Sequence, residues 1–157
     1  MNEFSGKKLG EVGAFAVVGI ETLERARPAL ISVWDESIVT EAINHWTSQR
    51  EKLGLIAEAE GVSEPFTKKV DGTGTKLRQM RDMYIGDEWD NPSEVFEWLG
   101  FFLGAAIVHW ELVRGIAEVK EHAELLTLAQ GALEHYHEVF AEVCQALNQV
   151  GNKRAQE

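Results

Sequence analysis

The chain predicts an all-α protein, and three observations carry that expectation. Apolar residues recur at three- and four-residue spacing through most of the 157 residues. No stretch alternates in the manner of a half-buried strand, and no hairpin turn pairs flank β-branched runs. The most apolar segment, Trp98 to Trp110, is greasy on every side of a helix and holds His109 as its single ionisable group. A run of this length is too short to cross a bilayer and predicts a helix buried on several sides.

Helix one is expected from about Leu9 to Trp34, with Val12, Phe15, Ala16, Gly19, Leu23, Ala26, Leu30 and Val33 as its apolar stripe. Pro28 should kink it or restart it as a second segment. Lys7-Lys8 followed by Leu9 to Ile20 has the outline of a secretory leader. Glu11 interrupts that outline and no small-x-small cleavage pattern follows Ile20, so the expectation is a first core helix in a cytoplasmic protein. Asp35-Glu36-Ser37 supplies an acidic cap for helix two, Ile38 to about Glu60, which packs through Val39, Ala42, Ile43, Trp46, Leu53 and Ala57. So short a link makes these helices an antiparallel hairpin.

Gly61 to Asn91 is polar, with Pro65 and an Asp71-Gly72-Thr73-Gly74 turn cluster, and is expected to be a crossover holding one short helix, Thr75 to Ile85. Asn91-Pro92-Ser93-Glu94 then gives a strong start signal: Asn as cap, Pro at the first helical position and Glu placed to reach back. Helix three follows with the stripe Val95, Trp98, Phe102, Ala105, His109, Val113 and Ile116. At about 100° per residue this stripe points away from the later one, Leu125, Ala129, Ala132, Tyr136, Phe140, Val143, Leu147 and Val150. A corner is therefore expected between Ala117 and Glu121, with helix four beyond it. The result is a four-helix bundle, two helical hairpins joined by a long crossover, as one domain over residues 1–157. Residues 151–157 and the first five or six are expected to be loose.

Composition narrows function. With 26 acidic against 15 basic side chains and a net charge of −11, the average surface repels nucleic acid and anionic membranes. Cys144 is the only cysteine, so no internal disulfide forms; its apolar helical setting suggests a packing role in a reducing compartment. No Gly-rich phosphate loop opens a helix after a strand, and no serine has a nucleophile context.

Three groups of residues remain as candidates. His109, at the centre of its stripe, needs a partner if buried, and Tyr136 across the bundle is the economical choice. With Trp98 and Phe102 the pair makes either a satisfied core or the wall of a pocket for a small apolar or haem-like ligand. On the back of helix three, Phe96, Gly100, Leu103, Gly104 and Ile107 form a second apolar strip, with Gly100-x-x-x-Gly104 permitting close backbone approach. Either the crossover, through Met80, Met83 and Tyr84, or a second copy of the chain must cover it, and a homodimer is expected. The Trp residues at 34, 46, 89, 98 and 110 are read as core and interface filler.

The third group is Glu134-His135-Tyr136-His137, which contains Glu-x-x-His. Together with two hairpins and a long crossover, this motif resembles the ferritin-like superfamily, whose dimetal members bind two ions between such pairs on two helices and a Glu from each of the others. The resemblance implies two iron or manganese ions held by Glu24, His45, Glu134 and His137, with His109 as an inner ligand, and a dimetal oxidoreductase or metal carrier. Phase alone gives the opposite reading, because Glu134 lies nearly opposite Tyr136 and so belongs to a solvated face. The leading expectation is a homo-oligomeric binding or interaction module without catalysis or bound cofactor. The dimetal protein and the apolar-ligand pocket stand as alternatives.

Overall fold

A computed structural model describes residues 1–157 and contains five α-helices and no strand. They are α1 (Glu3–Ile31), α2 (Glu36–Ala59), α3 (Ser63–Ile85), α4 (Pro92–Val119) and α5 (Ala123–Arg154). The all-α class stands. The count of four does not, because the segment expected as a crossover is itself a 23-residue helix running straight through the Asp71 to Gly74 cluster.

Caps explain the boundaries. Asn2, Asp35 and Asn91 each accept a hydrogen bond from a first-turn amide, of Ser5, Ser37 and Ser93 respectively. Pro92 takes the first helical position as expected, but Glu94 does not complete a box: the Asn91 amide instead donates to the Glu88 carbonyl at 3.1 Å. The expected corner is present between α4 and α5, where Glu121 adopts φ 51° and His122 Nδ1 accepts from the Leu125 amide. Helix α1 is continuous through Pro28 and begins at Glu3, and α5 continues to Arg154, so neither end is the loose tail expected.

Helices α1, α2, α5 and α4 touch in a closed ring, and α3 lies outside it along α1. Adjacent ring members run antiparallel. Glu11 faces His109 while Trp34 packs on Phe96, and Glu60 meets His122 while His45 stacks on His135. The interior is filled by aromatic rings: Phe15 on Phe102 at 5.1 Å, Phe102 by Trp46 at 6.3 Å, and Trp46 stacked on Tyr136 at 5.6 Å. Gly19 makes room for this stack, since a Cβ there would lie 2.8 Å from the Trp46 ring.

Why α3 is helical is answered on α1. Gly6, Gly10 and Gly13 are buried beneath α3, and a Cβ on Gly10 would sit 2.5 Å from the Phe66 carbonyl oxygen. Backbone thus meets backbone with no side chain between, a contact that compensates for the weak helix propensity of Gly72 and Gly74. Farther along, Arg78 clasps Glu21 with two hydrogen bonds of 2.9 and 2.8 Å, and the hydrogen-bonded guanidinium holds that carboxyl below its usual range. Arg81, buried, donates to Thr22 at 3.3 Å.

Replacing Gly10 with Ala is expected to destabilise the fold by roughly 1–3 kcal/mol despite the better helix propensity of Ala. Gly72→Ala, whose Cβ would meet nothing within 4 Å, is expected to stabilise by about 1 kcal/mol. Denaturant unfolding of both variants measures the contrast, and equal effects would mean that α1 and α3 are not in close contact.

Candidate functional site

Six buried side-chain polar atoms have no hydrogen-bond partner within the protein, and they are not scattered. Trp46 Nε1 and Gln49 Oε1 come from α2, His135 Nε2 and the Tyr136 hydroxyl from α5, and Trp98 and Trp110 Nε1 from α4. Leaving such a group unpaired costs about 1–3 kcal/mol, so a cluster of them marks a place where packing was not the only requirement.

Four of the six belong to the seam between α2 and α5, the least intimate contact of the ring. Small residues leave space between the two helices there. Ser48 on one wall faces Gly131 and Ala132 on the other, leaving an open groove of about 440 Å³. Gln49 lines it while 4% exposed, and Lys52 and Glu124 line it farther along. At one end the exposed His45 ring stacks on buried His135, centroids 4.1 Å apart and planes 12° from parallel. Parallel rings direct their nitrogen lone pairs along parallel lines, so one cation cannot sit on both at ordinary bonding distances.

Burial first, and the charge of His45 second, push the His135 pKa from 6.5 down to about 4. Burial also pushes the Tyr136 hydroxyl up, with Trp110 acting weakly the other way without making a hydrogen bond of good geometry. At neutral pH the seam therefore encloses an uncharged imidazole, an uncharged phenol and a buried amide oxygen.

His109 is elsewhere. Its side chain is 36% exposed and does not meet Tyr136, contrary to the sequence expectation. The ring donates from Nδ1 to the Ala105 carbonyl at 2.7 Å, packs on Phe15 and turns Nε2 toward Glu11 at 3.8 Å. Glu11, nearly buried, also binds Lys8 at 3.0 Å and lies 3.4 Å from Lys69. The residue that breaks the leader-like run is thus the acid that ties α1 to α3 and α4. The phase error has a physical origin: α4 is covered by α1 on one side and α5 on the other. Its buried arc accordingly runs through Leu99, Leu103, Ala106 and Trp110 as well as Trp98 and Phe102, and leaves Ala105, His109 and Ile116 at the edge.

The other expected sets separate in the same way. Trp98, Phe102 and Tyr136 join one aromatic core, where they fill space rather than enclose a pocket. Glu24, His45, Glu134 and His137 are all exposed, and no three His, Cys, Asp or Glu side chains gather around a common point. Phe96 and Leu103 are fully buried inside the subunit, so they cannot form an interface; Gly100, Gly104 and Ile107 reach the surface in part. Cys144 is exposed at the rim of an α4–α5 groove rather than packed inside.

What the sequence reading missed is His135 and Gln49. A signal existed for the first: three residues after Ala132 and four before Val139, His135 lies within about 60° of both on the helical wheel, inside the apolar arc. No protein-family model matches the chain, and no curated protein or solved structure is significantly similar to it.

Because the folded His135 resists a proton that the unfolded chain accepts near pH 6.5, its contribution to stability is intact above that pH and falls as pH drops toward about 4. Between about pH 7 and pH 5 the wild type should lose roughly 2 kcal/mol more than His135→Phe in denaturant unfolding. Equal losses would mean that His135 titrates as it does in water.

Proposed function

We propose that the protein is a homo-oligomeric helical interaction module that acts by binding rather than by catalysis, and that its outer α4 face meets the same face of a second copy. The observation that carries this reading is an apolar stripe on the wet side of α4. Phe101 is 65% exposed and Val108 62%, with Leu112 following one turn on. Positions 101, 105, 108 and 112 recur at the spacing of a helix-packing seam, about 17 Å long. No Asp, Glu, Lys or Arg occurs between Trp98 and Trp110.

The stripe is also self-complementary, as a two-fold interface requires. Phe101 and Val108 project as knobs, and between them Gly104 and Ala105 leave a notch; a Cβ on Gly104 would meet nothing within 4 Å. Beside Phe101, Tyr84 at 5.4 Å borders a mostly apolar groove of about 450 Å³ that Gly100, Phe140, Val143 and Leu147 also line, together with Glu97, which accepts a hydrogen bond from Tyr84. The dimer belongs to this stripe and not to Phe96 and Leu103. A cytoplasmic setting suits a lone exposed thiol. The ferritin-like resemblance draws support from the paired hairpins α1–α2 and α4–α5. The dimetal alternative does not, since aromatic rings fill the centre of the ring of helices.

Sedimentation velocity should give about twice the 17.6 kDa chain mass for the wild type, with association strengthened by salt because the copies share a net charge of −11. Val108→Glu should weaken association about a hundredfold or more, since it buries an unpaired carboxylate twice per interface. A monomeric wild type, or an unchanged Val108→Glu dimer, would refute the proposal.

A further inference from the structure

We infer that the α4–α5 groove is a docking site for a basic amphipathic helix of another protein. The groove borders the self-association stripe and shares only Phe101 with it, so occupation of the one does not presuppose the other.

The fold of the occupant follows from the walls. Both walls are helices whose backbone groups are taken up in their own hydrogen bonds, so an extended peptide finds no edge to pair with and only side chains are on offer. A helix needs nothing else. Phe140, Val143 and Leu147 recur on α5 at three- and four-residue spacing over two turns, which suits two turns of a partner helix with apolar anchors at i, i+3 or i+4, and i+7. Gly100 keeps the facing wall low. A Cβ there would meet only Val143, at an ordinary 3.9 Å, so packing within the subunit does not demand glycine at this position.

Charge selects the sign of the partner. Between Arg81 and Arg114 the chain carries seven carboxylates and no Lys or Arg, and between Lys120 and Lys153 it carries five and again none. Both walls lie in those two segments. Asp82 and Glu111 pair with the flanking arginines, whereas Asp87, Glu88, Asp90, Glu94 and Glu97 have no cationic side chain within 4 Å. Glu97 is held on the groove rim by hydrogen bonds donated by Tyr84 at 2.8 Å and Ser93 at 3.0 Å. Nucleic acid, an anionic membrane and the like-charged faces of a second copy are repelled there, while an apolar stripe flanked by Lys or Arg meets greasy walls and carboxylates together. No other large groove combines these features: the α2–α5 groove contains Lys52, and the depression at the start of α3 is lined by Lys7, Lys68 and Lys69.

The test is a fluorescence-anisotropy titration of the intact protein into a labelled synthetic helix of about 18 residues, with Leu on one face and Lys on the other, at about 0.15 M salt. Two control peptides carry Ser in place of Leu, or Glu in place of Lys. The Leu–Lys peptide should bind at least tenfold more tightly than either control, and should slow the reaction of Cys144, on the groove rim, with dithiodipyridine. Gly100→Leu, which fills the groove, should weaken binding about tenfold or more with the circular dichroism spectrum unchanged. Glu94→Gln combined with Glu97→Gln should weaken it and flatten its salt dependence. Val108→Glu, outside the groove, should bind the peptide at least as tightly as the wild type, so a failure of self-association leaves this result intact. Equal binding of the Ser–Lys peptide, unchanged affinity in Gly100→Leu, or an unprotected Cys144 would overturn the inference. A Gly100→Leu protein that no longer self-associates yet still binds the peptide would assign the groove to a second copy instead.

Discussion

The contact between α1 and α3 is the constraint on which the other placements depend. Three glycines on one side of α1 let a second backbone approach closer than any side chain would allow, and the Glu21–Arg78 clasp and the Glu11–Lys69 pair hold the register. This contact turns a polar, Gly- and Pro-bearing segment into a full helix. It also spends that helix on α1. Had α3 lain across α4 instead, Phe101 and Val108 would have been covered within the subunit; as it is, Met80 and Met83 of α3 are exposed and so is the α4 stripe. The unpartnered face of α4 is thus a consequence of the glycine face of α1.

Inside the ring the determinant is one large side chain. Trp46 is fully buried, touches Tyr136 and Phe102, and occupies space that Gly19 vacates on α1. Its bulk fills the centre of the bundle, and along the outer seam of α2 and α5 the small residues Ser48, Gly131 and Ala132 border an open groove. The groove, the unpartnered Gln49 oxygen and the proton-resistant His135 all lie along that seam. Stability has been exchanged for unsatisfied polarity at one seam, a compromise that packing alone does not require.

The helical class, the two hairpins, the Asn91-Pro92 start and the corner before α5 were legible because each rests on local chemistry: periodicity, capping and a phase flip. Helix α3 was not legible, since Asp71-Gly72-Thr73-Gly74 reads locally as a turn and only contact with Gly10, sixty residues earlier, makes it helical. The position of His109 was misread for a related reason. A stripe drawn on a single helical wheel assumes one buried side, and α4 has two, so the arc widens and its apparent centre becomes its edge. His135 was hidden by attention to its charged neighbours Glu134 and His137, which do face water. The α2–α5 groove had no sequence signature, because it depends on which small residues happen to lie opposite one another across two helices.

Native-state hydrogen exchange along α3 tests the central contact most directly. If the glycine face of α1 holds this helix, the amides from Phe66 to Leu77 should be protected to nearly the same degree as those of α1, as one cooperative unit, in spite of the polar composition of α3. Exchange of those amides at rates near those of an unfolded chain, with α1 still protected, would contradict the arrangement from which the exposed α4 face follows.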